Sequence, residues 1–166
     1  FAKEVAQAWE DTFYEADTPN VRKVALRISV VLGKRDGAYP VLKRLGKFGL
    51  AGTMGPGTQR FAWVHIQDLL RMIEFAIVNE SITGPLNCAA PETPTNKTFL
   101  KALRVSLGVP IGIPQPTFLL KIGGFIIGTE SDLILKSRWV SPKKLLENGF
   151  EFTFSDLQSA LNDLAQ

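Results

Sequence analysis

Residues 22–32 constrain the fold more than any other segment. Val24, Leu26, Ile28 and Val30 alternate with Ala25, Arg27, Ser29 and Val31, and the second set is nearly as apolar as the first. A strand with two apolar sets is one covered on both faces, as in the middle of a parallel sheet with helices on either side. Arg27 and Ser29 are then the exceptions that need a reason. The 166 residues suit about one domain, and 45% hydrophobic with 21% charged residues is ordinary globular composition rather than a disordered one.

Counts of single residue types exclude several chemistries. One cysteine, Cys88, removes any internal disulfide framework and any multi-cysteine zinc site, and one histidine, His65, removes metal sites that need two. An unpaired cysteine suits a reducing, cytoplasmic setting. The net charge of +3 comes from 19 basic residues interspersed with 16 acidic ones. Without a long cationic run, nucleic acid is not the expected partner. The most apolar stretch, residues 118–127, is interrupted by Lys121, Gly123 and Gly124 and falls short of the roughly 20 residues of a membrane span, so no membrane anchor is expected. The chain opens on Phe1, already inside a helical pattern, which leads to the expectation of a fragment that follows an upstream half of the same protein.

Along the chain, Phe1, Val5, Ala8, Trp9, Thr12 and Phe13 fall on one helical face to about Ala16. Residues 39–47 read as a short basic helix with Val41, Leu42 and Leu45 inward. Residues 46–57 hold five glycines in twelve positions, a loop with a task or a hinge. A short strand at 61–66 leads to Gln67-Asp68, with Asp68 as the expected cap of a mostly buried helix, and a brief strand follows Gly84. Thr95 or Asn96 caps the next helix. Pro110, Pro114 and Pro116 make an extended link to an apolar helix at 118–127. Ser141-Pro142 opens a short helix, and Ser155 to Gln158 has capping-box spacing ahead of Leu157, Ala160, Leu161 and Leu164.

Several of these segments form a collinear series. Ala25-Leu26-Arg27-Ile28, Val31-Leu32-Gly33, Gly55-Pro56-Gly57 and Trp63-Val64-His65-Ile66-Gln67-Asp68-Leu69 resemble the C-terminal half of extended short-chain dehydrogenase/reductases. The segments Asn87 to Pro91, Thr95-Asn96-x-x-Phe99, Ser137 to Pro142, Gly149-Phe150-x-Phe152 and Ala160-Leu161-x-Asp163 resemble the NAD(P)-dependent epimerase-family branch, whose members end in a small domain of undefined function. The resemblance implies an α/β fold, the C-terminal portion of a Rossmann-like arrangement with a mainly helical substrate-side region. It implies that residues 1–90 close the nucleotide-binding domain and carry the substrate-side loop, and that 91–166 form the helical C-terminal region.

The resemblance also implies NAD or NADP in the full-length parent, with the glycine-rich phosphate loop lying upstream. Gly49-x-x-Gly52-x-x-Gly55 has similar spacing, but no helical pattern follows it to offer an anion-binding N-terminus. Tight dinucleotide binding by this chain alone is therefore not expected. The superfamily's Tyr-x-x-x-Lys pair falls on the first helix, where Phe1 and Val5 or, one register on, Ala2 and Ala6 stand, so the usual proton-transfer pair is missing and the catalytic residues are unknown.

Six residues are candidates for the site. An arginine at the place of Arg27 lies near the cofactor in related proteins, and Ser29 can line the same cleft, making both cofactor-side candidates. An internal salt bridge from Arg27 to Glu10 is the equal alternative. Gly55, Gln59, Arg60 and His65 are the substrate-side candidates. Extended family members place groups that hold a nucleotide-sugar diphosphate near Gln59 and Arg60, although Arg60 is one place off the usual spacing and can equally be solvated charge. His65 can bind ligand or serve as a structural hydrogen-bonder. Cys88, Trp63 and Phe48 read as packing residues. Two functions follow: the substrate-side segment of an NAD(P)-dependent epimerase/dehydratase-like oxidoreductase acting on a nucleotide sugar or related carbonyl compound, or a non-catalytic NAD(P)-binding or scaffold protein.

Overall fold

The apolar run becomes two strands rather than one. A computed structural model of the chain describes residues 2–118, 120 and 135–166. In it β1 (Val24–Ile28) pairs in parallel with β4 (Gly84–Cys88), and β2 (Val30–Leu32) pairs in parallel with β3 (Trp63–His65). The handover falls on Ser29. Its N–H still donates to Cys88 O at 3.0 Å, whereas the Val30 N–H donates to Ala62 O at 3.3 Å. One stretch of backbone thus serves two small sheets. The fold is α/β, as the two apolar sets predict.

Helices α1 (Ala2–Glu15), α2 (Tyr39–Lys47), α3 (Ile66–Val78), α4 (Asn96–Ser106), α5 (Lys143–Glu147) and α6 (Leu157–Ala165) surround these sheets. Two apolar clusters hold the layers together. Leu32 and Trp63 from β2 and β3 meet Tyr39 of α2, Phe99 and Leu103 of α4, and Leu161 and Leu164 of α6. Val64 and Leu86 meet Met72 of α3, Leu145 of α5 and Phe150. Each such side chain, fully buried, contributes roughly 1.5–3 kcal/mol, with α6 adding Leu157, Leu161 and Leu164 to the first cluster and α5 adding Leu145 to the second.

The termini of these helices correct two expectations and decide a third. α3 is capped by His65, whose Nδ1 accepts the Gln67 N–H at 3.2 Å, and not by Asp68. Asp68 sits inside the first turn, 1% exposed, and its two oxygens accept the backbone N–H groups of Thr153 and Phe154 at 2.9 and 2.8 Å. α6 is capped by Asp156, whose carboxylate accepts the Ser159 N–H at 2.9 Å, one residue after the expected Ser155. Thr95, not Asn96, caps α4. The helix expected at 118–127 lies almost wholly outside the described residues.

Four packing expectations also change. β1 is not covered on both sides among the described residues: Arg27 is exposed, Ile28 is 50% exposed, and β4 is the partner on one edge only. The apolar stripe of α1 is open too, with Trp9 74% exposed, and the helix is tied to the strand mainly by Glu10 with Arg27 and by Lys23 Nζ donating to Tyr14 O and Ala16 O. Phe48 is exposed rather than packed, and Val41 of α2, expected inward with Leu42 and Leu45, faces solvent while those two pack against the core.

The glycine-rich loop runs alongside the proline-rich link. The Ile113 N–H donates to Gly49 O, the Gln115 N–H to Thr53 O and the Gly55 N–H to Gln115 O, each at 2.8 Å. This is why Gly52 must be glycine: a Cβ there would stand 2.1 Å from Ile113 O. The task of the loop is close backbone packing, which any side chain at that point would block.

Candidate functional site

Ligand clefts in open α/β sheets form beyond the carboxyl ends of parallel strands. Splitting one strand into two half-sheets gives this chain two such places, and each carries a cleft.

The first cleft, about 630 Å³, opens at the ends of β1 and β4, where Arg27, Ser29 and Asn87 line it. Arg27 grips Glu10 with two charge-assisted hydrogen bonds, Nε to Oε1 at 2.7 Å and Nη2 to Oε2 at 2.6 Å. The guanidinium beside it holds the Glu10 carboxyl below its ordinary value, and the carboxylate in turn raises Arg27. The internal ion pair is therefore formed, by an arginine whose side chain remains 50% exposed. The Ser29 hydroxyl is buried and has no hydrogen-bond partner among the described residues.

A strap of residues 137–141 closes the far side of this cleft. The Arg60 N–H donates to Ser137 Oγ at 3.0 Å, and the Arg138 N–H donates back to Arg60 O at 3.0 Å. Further along, Asn87 Nδ2 donates to Ser141 O at 3.1 Å and Thr93 Oγ1 to Val140 O at 3.4 Å. Between these tethers Trp139 stands 84% exposed. Arg60 thus holds the strap by its backbone without lining the cleft, while its Nη1 donates to Thr93 O at 3.0 Å.

The second cleft, about 470 Å³, lies at the ends of β2 and β3 between the Gly33–Gly37 turn, His65 and Asp163 of α6. His65 is 1% exposed, and its ring lies 3.8 Å from that of Phe154. Burial pushes its pKa below the ordinary value, against the opposing pull of Asp163 and Asp68.

The six candidate residues therefore do not converge. Arg27 and Ser29 share the first cleft, Arg60 reaches it only through the strap it holds, and His65 belongs to the second. Gly55 and Gln59 sit inside the loop: Gly55 has a positive φ of 59°, and Gln59 is 6% exposed with its Nε2 donating to Met54 O at 2.8 Å. Sequence reasoning missed Asn87, the strap and Asp163 as site-forming groups, although all three lie in segments that carry the family pattern. Among the described residues of α1 no tyrosine stands four places before a lysine. Among the described residues no group of three His, Cys, Asp or Glu side chains could hold a metal ion, and no helix is long and apolar enough to cross a membrane.

Comparison with known proteins gives this geometry a context. Residues 115–164 match the model of a domain of unknown function, DUF1731. The epimerase family protein YfhF of Bacillus subtilis (strain 168) is 36% identical over 164 residues, 99% of this chain and 53% of its own length. The epimerase family protein SDR39U1 of Mus musculus is 34% identical over 146 residues, 87% of this chain and 49% of that protein. The chain thus spans about half the length of these relatives. Among solved structures, human epimerase family protein SDR39U1 (isoform 2) with NADPH superposes with a TM-score of 0.88 at 29% identity, covering 98% of this chain and 54% of that one. A nucleoside-diphosphate sugar epimerase from Corynebacterium glutamicum gives 0.74 at 28% identity, covering 98% of this chain and 30% of its own. The chain belongs to the epimerase family of extended short-chain dehydrogenase/reductases and corresponds to a C-terminal part of its members.

Proposed function

We propose that in the whole protein this chain forms the substrate-side wall of an NAD(P)-dependent epimerase/dehydratase-like oxidoreductase acting on a nucleotide sugar or related carbonyl compound. The observation that carries the reading is the first cleft. It lies at parallel strand ends, carries the half-exposed Arg27 fixed by Glu10 and presents an orphaned hydroxyl at Ser29. The human relative solved with NADPH, at a TM-score of 0.88, supports a nicotinamide cofactor for the whole protein. Such a cofactor would supply hydride transfer.

In this reading the chain's own residues bind and orient. Arg27, held in place by Glu10, offers charge to an anionic group, and Ser29 offers a hydrogen bond that no described residue takes. Arg60 holds the strap across the far wall. Gly55 and Gln59 act on substrate only by shaping the loop behind that wall, and His65 acts at a distance from it. The reading divides the chain into the end of a nucleotide-binding domain at 1–90 and a C-terminal region at 91–166, and places the protein in the cytoplasm on the strength of its single, unpaired Cys88.

Among the described residues the chain supplies one wall and no phosphate cradle, because its glycine-rich loop is occupied in packing against residues 111–116 and leads into a strand rather than a helix. Calorimetric titration with NADPH and NADH, on this chain and on the whole protein, tests the reading. The expected result is binding by the whole protein, weakened by Arg27→Ala and Ser29→Val, with no tight binding by the chain alone. Tight binding by the chain alone, or indifference of the whole protein to both substitutions, overturns it. A second reading, a nucleotide-binding scaffold without turnover, is favoured by the lack of a Tyr-x-x-x-Lys pair on the described part of α1. Cofactor binding with no turnover of any sugar nucleotide or carbonyl compound tried would select it.

A further inference from the structure

Trp139 lines the first cleft and is nonetheless 84% exposed, with no part in the reading above. An indole left in water to that extent forgoes the burial that usually holds a tryptophan in place. The backbone keeps it there. On one side of Trp139 the Arg138 N–H donates to Arg60 O at 3.0 Å, and on the other Val140 O accepts from Thr93 Oγ1 at 3.4 Å. One residue further out, Ser137 Oγ accepts the Arg60 N–H at 3.0 Å and Ser141 O accepts from Asn87 Nδ2 at 3.1 Å. A ring held out from a backbone fixed on both sides is preorganised, because little ordering remains to be done when a partner arrives.

The lining around Trp139 narrows what that partner is. The wall is apolar at Ile28, Val30 and Ala62 and basic at Arg27 and Arg138, and among the described residues no carboxylate lines it. Its volume of about 630 Å³ lies within the roughly 300–1,000 Å³ of small-molecule sites. A flat ring stacks on an indole face, and a phosphate pairs with a guanidinium. A nucleotide carries both groups, whereas a free sugar or a simple carbonyl compound carries neither.

We infer that Trp139 stacks on the base of a nucleotide-bearing substrate whose phosphates turn toward the basic lining, so that the strap selects nucleotide-linked over free carbonyl compounds. This rests on the proposed substrate-side role of the first cleft and names the part of the substrate that the strap reads. Stacking uses the π-face that every base has, so purine and pyrimidine are accepted alike.

Equilibrium binding of uridine diphosphate, adenosine diphosphate and inorganic pyrophosphate to the whole protein, each in the presence of NADPH, tests it. The two nucleotides are expected to bind within about threefold of each other, and pyrophosphate at least about tenfold more weakly. Trp139→Ala is expected to weaken both nucleotides about tenfold and to leave pyrophosphate unchanged, whereas Trp139→Phe, which keeps a ring, loses no more than about threefold. In the unliganded whole protein, acrylamide is expected to quench the emission that Trp139→Phe removes, and uridine diphosphate is expected to shield it. Any of four results overturns the inference: nucleotides bound no better than pyrophosphate, Trp139→Ala binding them like the parent, Trp139 emission shielded before any nucleotide is added, or NADPH affinity falling with Trp139→Ala in place of nucleotide affinity. NADPH titrated alone separates the two failures. Where it binds and Arg27→Ala weakens it, those results overturn the role of Trp139 only; where it does not bind, the proposed function falls and the role of Trp139 with it.

Discussion

Asp68 in the first turn of α3 holds Phe154 by its backbone: Oδ2 accepts the Phe154 N–H at 2.8 Å across 86 residues of sequence. The other oxygen takes the Thr153 N–H at 2.9 Å and an Arg71 Nη1 at 3.1 Å. One buried carboxylate therefore fastens the segment that leads into α6. Asp68→Ala leaves two inward-facing N–H groups without an acceptor and is expected to cost about 2–4 kcal/mol. Asp68→Asn, which keeps one acceptor, is expected to cost less. Urea unfolding midpoints of the two variants check both the size and the order.

His65 titrates below its ordinary value because burial disfavours its charged form. Asp163 opposes this, so Asp163→Asn is expected to lower the midpoint further, whereas Lys34→Ala, which removes a repelling cation, is expected to raise it. The sign for stability follows from linkage. Above the ordinary value near 6.5 both folded and unfolded chains hold a neutral ring, and this contribution is complete. As pH falls below it the unfolded chain takes up the proton first, so stability declines until the folded ring titrates as well. NMR titration of the ring with unfolding curves at matched pH values tests both statements.

Cys88 is fully buried between strand and helix, and that burial pushes its thiol up to about 11. A thiol reagent at pH 8 is expected to leave the native chain unmodified over the time in which the urea-unfolded chain reacts completely. A raised folded value also means stability that is present below the ordinary thiol range and lost above it. Between pH 9 and 11 the loss amounts to as much as ~1.4 kcal/mol per pH unit. Cys88→Ala is expected to flatten that part of the profile.

Gly52→Ala would place a methyl group 2.1 Å from Ile113 O and 2.2 Å from its carbonyl carbon, atoms of backbone that cannot rotate aside. The loop must part from the proline-rich link, at an expected cost of about 1–3 kcal/mol. Gly108→Ala, where nothing lies within 4 Å but φ is +67°, isolates backbone strain from steric contact. Comparing the two unfolding midpoints, and amide exchange at Thr53 and Gln115 in each, separates a lost close approach from a strained turn.

Elements defined by period and punctuation were legible in the sequence. The α2 helix occupies the residues its spacing predicts, and β4 begins at Gly84 as its turn signal requires. What was hidden depends on partners distant along the chain. Capping preference points to Asp68 because carboxylates favour helix N-termini, but two amides from the C-terminal segment compete for it and win, leaving the cap to His65. The break at Ser29 has no local signal, since it arises where β4 ends and β3 begins alongside the same strand. The pairing of His65 with Asp163 was invisible for the same reason: neither residue is unusual where it stands. Arg27 was legible as an exception, and Glu10 was its foreseeable partner.

The run from Val24 to Leu32 is a single covalent thread through both half-sheets, with Ser29 as the joint. One peptide link therefore fixes where the first ladder stops and the second starts, so a substitution that displaces the Ser29 backbone is expected to fray both strand pairings together.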